Sequence, residues 1–243
     1  MHDDRMFERC RHYIDCRLTE GGRRRTRVPK VASAVTISRQ TGSRAVTVGK
    51  ALARYLDRVA PGPECNWTVF DENLVERVLT DHHLPKRLKA YMREDKVGEV
   101  TTVIEEILGL HPPSWTLFHH TVDTVLKLTS LGQVILVGRG TNLMTASMPA
   151  VLHVRLIGSL ERRIAHAAGY YDLSEAEARK LVKRKDAASR RYVRQHFAVS
   201  NVDPLLYDLV IKTDCLHDDT VAELIGQAFI DKRKTASKIA RRS

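Results

Sequence analysis

The chain has no run approaching the ~18 consecutive apolar residues that a membrane-spanning helix needs. No membrane partner is therefore expected. Its N-terminus is charged from Asp3 onward and lacks the apolar core of a secretory leader. Cysteine is sparse. Cys10, Cys16, Cys65 and Cys215 are scattered, with no close pair of the kind that forms a metal knuckle. This usage points to a reduced, cytoplasmic protein. HExxH is absent, and the adjacent pairs His82-His83 and His119-His120 point to different sides of any helix. A histidine metal centre thus has no support. GxSxG is absent too, so a hydrolase triad has no anchor. Neither an internal repeat nor a low-complexity core is present.

Positive charge is abundant, at a formal +11, but it is not evenly spread. Residues 1–30 carry nine Lys/Arg against five Asp/Glu, and residues 231–243 carry six against one. The stretch 31–230 is left with only +2. Nucleic acid is therefore not an expected partner, apart from weak, salt-dependent contacts through the basic ends. The tail 231–243 is polar, basic and aperiodic, the composition of a disordered segment.

With 243 residues and 43% hydrophobic content, the chain can bury one substantial core and carry a small lid. Met6, Cys10, Tyr13, Ile14 and Leu18 recur at helical spacing, which predicts an amphipathic helix over 5–18. A basic linker, 21–30, follows. Whether that helix docks on this core or on a second subunit of a homodimer stays open. From residue 31 the pattern gives a strand (31–37), a helix (46–59), a Pro61-Gly62-Pro63 turn and a strand (67–70). Residues 71–130 are largely helical in pattern, broken at Pro85 and at His111-Pro112-Pro113. Strands follow at 134–138 and 151–157, helices at 159–168 and 174–195, a strand at 207–211 and a helix at 218–230. Strands alternating with helices predict an α/β fold, a parallel sheet with helices on both faces. Ligands of such sheets bind beyond the carboxyl ends of the strands.

Each chemically suggestive segment lies just after an expected strand. The first is the loop Ser38-Arg39-Gln40-Thr41-Gly42-Ser43-Arg44-Ala45-Val46-Thr47. A strand, a tight small-residue loop and a helix start form an anion cradle, because backbone N–H groups and the helix dipole face the ligand. The lysine and second glycine of the standard phosphate loop are missing. Asp71 closes the second strand, where it could bind a ligand or cap the next helix; Arg77 follows six residues on. Gly138-Arg139-Gly140 closes the third. Arg139 could reach into the crevice, or sit on the surface of a tight turn. After the fourth comes a basic helix in which Arg184, Arg191 and Arg194 share a face and Arg190 and Arg194 are neighbours. Such a face suits phosphate oxygens, and a solvated basic surface explains it equally.

The residues Ile37-Ser38-Arg39-Gln40-x-Gly42-Ser43, Val137-Gly138-Arg139-Gly140, Leu152–Ile164, Ser174–Ala178, Asp186 and Tyr207–Thr213 occur in an order that resembles the cytidylate kinase-like family. That family is a branch of the P-loop nucleoside monophosphate kinases, and the resemblance spans about residues 33–230. It implies a P-loop NTPase-like three-layer sandwich with a helical NMP-binding region (about 71–130) and an arginine-rich lid (about 168–200). It also implies Mg2+-dependent phosphoryl transfer from ATP to a small nucleotide substrate, CMP or dCMP first. The alternative is a nucleotide-binding regulatory module with little or no turnover. By the family pattern Gly42, Ser43, Arg44, Ala45, Val46 and Thr47 wrap the ATP phosphates, and Thr47 meets Mg2+. Arg39, Asp71, Arg77 and Arg139 fall in the acceptor site. Arg190, Arg191 and Arg194 fall in the lid, with Asp186 expected to orient them. The lysine position holds Ala45, and Arg44 stands at a position usually glycine. Arg44 is expected either to supply the missing charge or to strain a turn that prefers positive φ. Gly140 replaces an aspartate found near the base in bacterial cytidylate kinases, which loosens the link to cytosine.

Overall fold

The computed structural model describes residues 8, 10–17, 33–61, 65–71 and 113–239. Its centre is a five-stranded, all-parallel sheet in the order β2-β3-β1-β4-β5. The strands are β1 (Ala34–Arg39), β2 (Thr68–Asp71), β3 (Val134–Val137), β4 (Val151–Ile157) and β5 (Leu209–Lys212). Helix α1 (residues 10–17) precedes β1. The other helices are α2 (Ala45–Val59), α3 (Pro113–Leu131), α4 (Thr141–Met144), α5 (Leu160–Tyr171), α6 (Glu175–Phe197) and α7 (Asp218–Ile239). The chain moves to one side of β1 for β2 and β3 and to the other for β4 and β5, so β1 is the switch strand of the sheet.

Strand alternation explains why both faces are covered. Val35 and Ile37 of β1, Val69 of β2, Ile135 and Val137 of β3, and Leu152, Val154 and Leu156 of β4 share one face. They pack with Val48, Leu52 and Leu56 of α2 and Ile225 and Phe229 of α7. Ala34, Phe70, Val134, Leu136 and Val151 point to the other face, under Val125, Leu128 and Leu131 of α3. Parallel strands buried on both sides read as apolar runs, which is why most of them stand out in the sequence.

Helix α1 belongs to that second face. Cys10, Tyr13 and Ile14 are buried there, Tyr13 meets the Phe70 ring edge-on at 5.8 Å, and the Tyr13 hydroxyl donates to the Gly132 carbonyl. The helix thus docks on its own chain's core. Cys16 is disulfide-bonded to Cys65, 49 residues away in sequence, which corrects the expectation of fully reduced thiols. The basic end is corrected as well. Helix α7 runs to Ile239, so 231–239 is helical and not a disordered tail. Ala236 is buried, and Lys232 pairs with Asp208. Gly62 and Pro63 of the turn, the 21–30 linker and residues 72–112 lie outside the described residues.

The second face carries a polar pair in mid-sheet. Thr36 Oγ lies 2.9 Å from His153 Nδ1, and Asp208 accepts from the His153 N–H. Burial holds the His153 pKa down to about 4, with the Lys232 charge adding to the effect and Asp208 opposing it. Two predictions follow from this packing. Ile14→Ala should cost about 2–4 kcal/mol in urea unfolding, because it deletes a fully buried side chain; a change near zero would mean α1 is undocked. His153 stays neutral in the fold but protonates when unfolded. Stability should therefore be complete above the unfolded pKa of ~6.5 and fall as pH drops toward 4. His153→Gln should flatten that slope in melts at pH 7 and pH 4.5.

Candidate functional site

All five strands end at one edge, so the segments that directly follow β1, β2 and β3 lie together there. After β1, the Gln40 N–H continues the ladder to the Leu156 carbonyl at 3.0 Å. The Gln40 side-chain oxygen accepts from the Gly158 N–H at 3.0 Å. Ser43 closes the turn by donating its hydroxyl to the Gln40 carbonyl at 2.8 Å. Gly42 has φ +84°, and a Cβ there would lie 2.3 Å from the Arg163 carbonyl oxygen. That position admits glycine alone. Arg44, at φ 61°, is the N-cap of α2. Val48 is the first residue of α2 whose N–H reaches back, to the Arg44 carbonyl at 2.9 Å. The N–H groups of Ala45, Val46 and Thr47 therefore have no intrahelical acceptor and stand at the positive end of the helix. They fit an anion. Thr47 donates its hydroxyl to the Arg44 carbonyl at 2.8 Å, and its oxygen keeps lone pairs that can face a cation.

Two expected roles change. The Arg44 guanidinium donates to the carbonyls of Thr213 and Leu216 and pairs with Asp218 at 2.9 Å. It is spent on joining the loop to the β5–α7 connection, so the charge missing at Ala45 is not made up by Arg44. The backbone does adopt the left-handed conformation that a glycine would have taken. Asp186 does not orient the lid arginines. One of its oxygens accepts from the Thr41 N–H at 2.8 Å, and the other pairs with Arg163 at 2.7 Å. Arg163 in turn donates to the carbonyls of Thr41 and Gly158, each at 3.0 Å. The long helix α6, begun by the Ser174–Glu177 capping box, is thereby fastened to the loop.

Arg39, Asp71 and Arg139 do come together. Arg39, at the end of β1, sits in the fields of Asp71, Tyr171 and Asp186. Burial lowers its pKa, and those three groups oppose the shift. The Arg139 pKa is lowered by burial and then by repulsion from Arg39. Arg139 also lies over the Tyr192 ring, 5.0 Å from its centroid. An aromatic group backs it: Phe118 of α3 stacks on His196 at 4.2 Å and meets Tyr192 and Phe197 edge-on. Gly140, at φ +72°, lets the 138–140 turn close on Phe197, where a Cβ would clash at 2.7 Å. Two guanidiniums thus repel each other at the strand ends near the open start of α2.

The remaining residues lie apart. Arg184, Arg190, Arg191 and Arg194 are exposed on α6 and make no ion pair with any described residue. Arg77 lies outside the described residues. Among the described residues no group of three or more His, Cys, Asp or Glu side chains could hold a metal, and no helix is long and apolar enough to cross a membrane. Sequence reasoning passed over Arg163 and Arg155. Arg155 is buried in β4 and donates to Tyr207 Oη at 3.1 Å and Ser38 Oγ at 3.3 Å. A lone arginine inside an apolar strand was the available signal for it.

A parallel sheet in this order, with a glycine turn leading from β1 into the open start of α2, is an α/β fold of the P-loop type. The chain belongs to the cytidylate kinase-like family, which it matches over residues 34–215. The class is accordingly kinase-like. An uncharacterized protein from Eubacterium ventriosum shares the fold at 16% identity and a TM-score of 0.61, over 82% of this chain and 99% of that one. Shikimate kinase from Acinetobacter baumannii, in complex with shikimate, aligns at 16% identity and a TM-score of 0.43 over 84% and 96% of the two chains. Shikimate kinase from Bacteroides thetaiotaomicron aligns at 12% and 0.42 over 82% and 96%. No curated protein matches the chain. Asp186→Ala leaves Arg163 buried without its carboxylate and frees the Thr41 N–H. It should cost about 3 kcal/mol in urea unfolding, whereas a loss below 1 kcal/mol would mean that the pair is not made in solution.

Proposed function

We propose that the chain transfers the γ-phosphoryl group of ATP to a nucleoside monophosphate, with CMP and dCMP the first acceptors to test. The observation that carries this is the strand register that sets Arg39, at the end of β1, and Arg139, two residues past β3, at one sheet edge with the open start of α2. In the proposed reaction an acceptor phosphate oxygen attacks the γ-phosphorus. The bond to the β,γ-bridging oxygen breaks, and ADP leaves with that electron pair. The N–H groups of Ala45, Val46 and Thr47 hold the ATP phosphates, and Arg39 and Arg139 hold the acceptor phosphate beside Asp71. Thr47 would hold Mg2+, which supplies positive charge to the phosphates when bound. Exposed on α6, Arg190, Arg191 and Arg194 can swing over the transferring group and exclude water. Such transfer needs positioning and charge more than a base.

A second reading, a nucleotide-binding regulatory module with little turnover, is favoured by the alanine at the lysine position and by the diversion of Arg44 to Asp218. Release of ADP from Mg-ATP across a panel of monophosphates, with ATP binding measured by calorimetry, separates the two. Saturable acceptor-dependent release supports transfer. Binding without release supports the module. Arg139→Ala should raise the acceptor KM ~10-fold or more, as expected for a lost charged hydrogen bond, with ATP affinity kept within about twofold. Equal loss of both would remove Arg139 from the acceptor side.

A further inference from the structure

We propose that Cys16 and Cys65 form a reversible thiol–disulfide exchange site that latches the N-terminal helix onto the sheet. Helix α1 lies before the family-matched stretch 34–215, and Cys65 lies inside it, so the bond joins an added element to the family domain. The two Cα atoms are 6.4 Å apart. Noncovalent contacts hold the partners in register around the bond. Arg17 donates to the Gln133 side-chain oxygen, and Gln133 Nε2 donates to the Cys65 carbonyl at 3.2 Å. Tyr13 and Ile14 bury against the same face. A reduced pair kept this close re-forms its bond readily, since loop closure across 49 residues is already complete.

Access sets the direction of attack. Cys16 is half-buried and Cys65 is buried, so an incoming thiolate reaches Cys16 Sγ first. The co-reactant is a small thiol of the glutathione class. Its thiolate attacks Cys16 Sγ, the Cys16–Cys65 bond breaks, and Cys65 leaves as a thiolate that takes a proton. A second small thiolate attacks the small-molecule sulfur of the mixed disulfide and releases Cys16. The net change is two protein thiols and one small disulfide, and oxidation runs the same steps backward. Cys10 is sealed in the core with its thiol near the Val69 carbonyl, and Cys215 is exposed elsewhere, between β5 and α7. Opening the latch loosens the element that packs on Phe70, the residue just before Asp71. The latch exists whether or not the site transfers phosphoryl groups.

The test uses the full chain carrying Cys215→Ser, which removes the exposed thiol, equilibrated with oxidised or reduced glutathione. Non-reducing peptide mapping should join the Cys16 and Cys65 peptides in the oxidised sample alone. Reduction should lower the melting temperature by about 5–10 °C, speed amide exchange across 10–17, and reverse on reoxidation. Adding Cys16→Ser should give the lower melting temperature in both buffers. Free thiols after oxidation, pairing through Cys10, or a melting temperature and exchange rate indifferent to reduction would each overturn the latch.

Discussion

The carboxylate of Asp186 takes the Thr41 N–H with one oxygen and Arg163 with the other. Through that contact the loop after β1, the start of α5 and the middle of α6 become one body. Its side chain and that of Arg163 are only 14% and 8% exposed. In so dry a place a pair is weak evidence of net stability but strong evidence of fixed geometry, because losing either partner strands a charge. The Gly42 contact with the Arg163 backbone depends on the same joint. The exposed arginines further along α6 therefore follow a fastened base, on a helix whose far end packs against Phe118.

That joint is possible because the sheet is parallel and doubly covered. Parallel strands bring every strand end to one edge, and apolar faces lie under α2 and α7 and under α1 and α3. Polar groups also line part of the second face of the sheet. Thr36 with His153, and Ser38 with Arg155 and Tyr207, form a seam of paired groups beneath the crevice. Burying them is tolerable because each finds a partner. The seam ties the end of β1 to the segment leading into β5 through the Tyr207 hydroxyl, which also donates to the Asn201 carbonyl at 3.0 Å.

The strands and their order of chemistry were legible, since apolar runs ending in glycine or charge mark buried parallel strands whatever else surrounds them. Gly42 and Arg139 were legible for a related reason: backbone freedom and an isolated cation at a strand end are local properties. Arg44 was not. Its backbone follows the positive φ expected there, but its side chain follows carbonyls from 213 and 216, and no local pattern announces them. Asp186 is likewise settled by a partner 145 positions away. The Cys16–Cys65 bond needs α1 and β2 already packed, so spacing could not reveal it. The end of α7 was misread because its composition is basic, while one buried alanine in its last turns, Ala236, gives the helix a face to keep.

These placements sharpen what the crevice can do. Arg44 is neutralised by Asp218, and Arg163 by Asp186. Arg39 and Arg139 also repel each other, and Asp71, Tyr171 and Asp186 offset part of that at Arg39. Holding two like charges together in a half-buried place raises the energy of the empty site. An anion with several oxygens relieves that cost more than a single carboxylate does, because it can face both guanidiniums at once. On the proposed reading, the stabilisation missing from the lysine position at Ala45 would have a counterpart at Arg39 and Arg139. If turnover occurs, its charge neutralisation rests on the β1–β3 arginines and the α6 arginines more than on the loop that first suggests nucleotide binding.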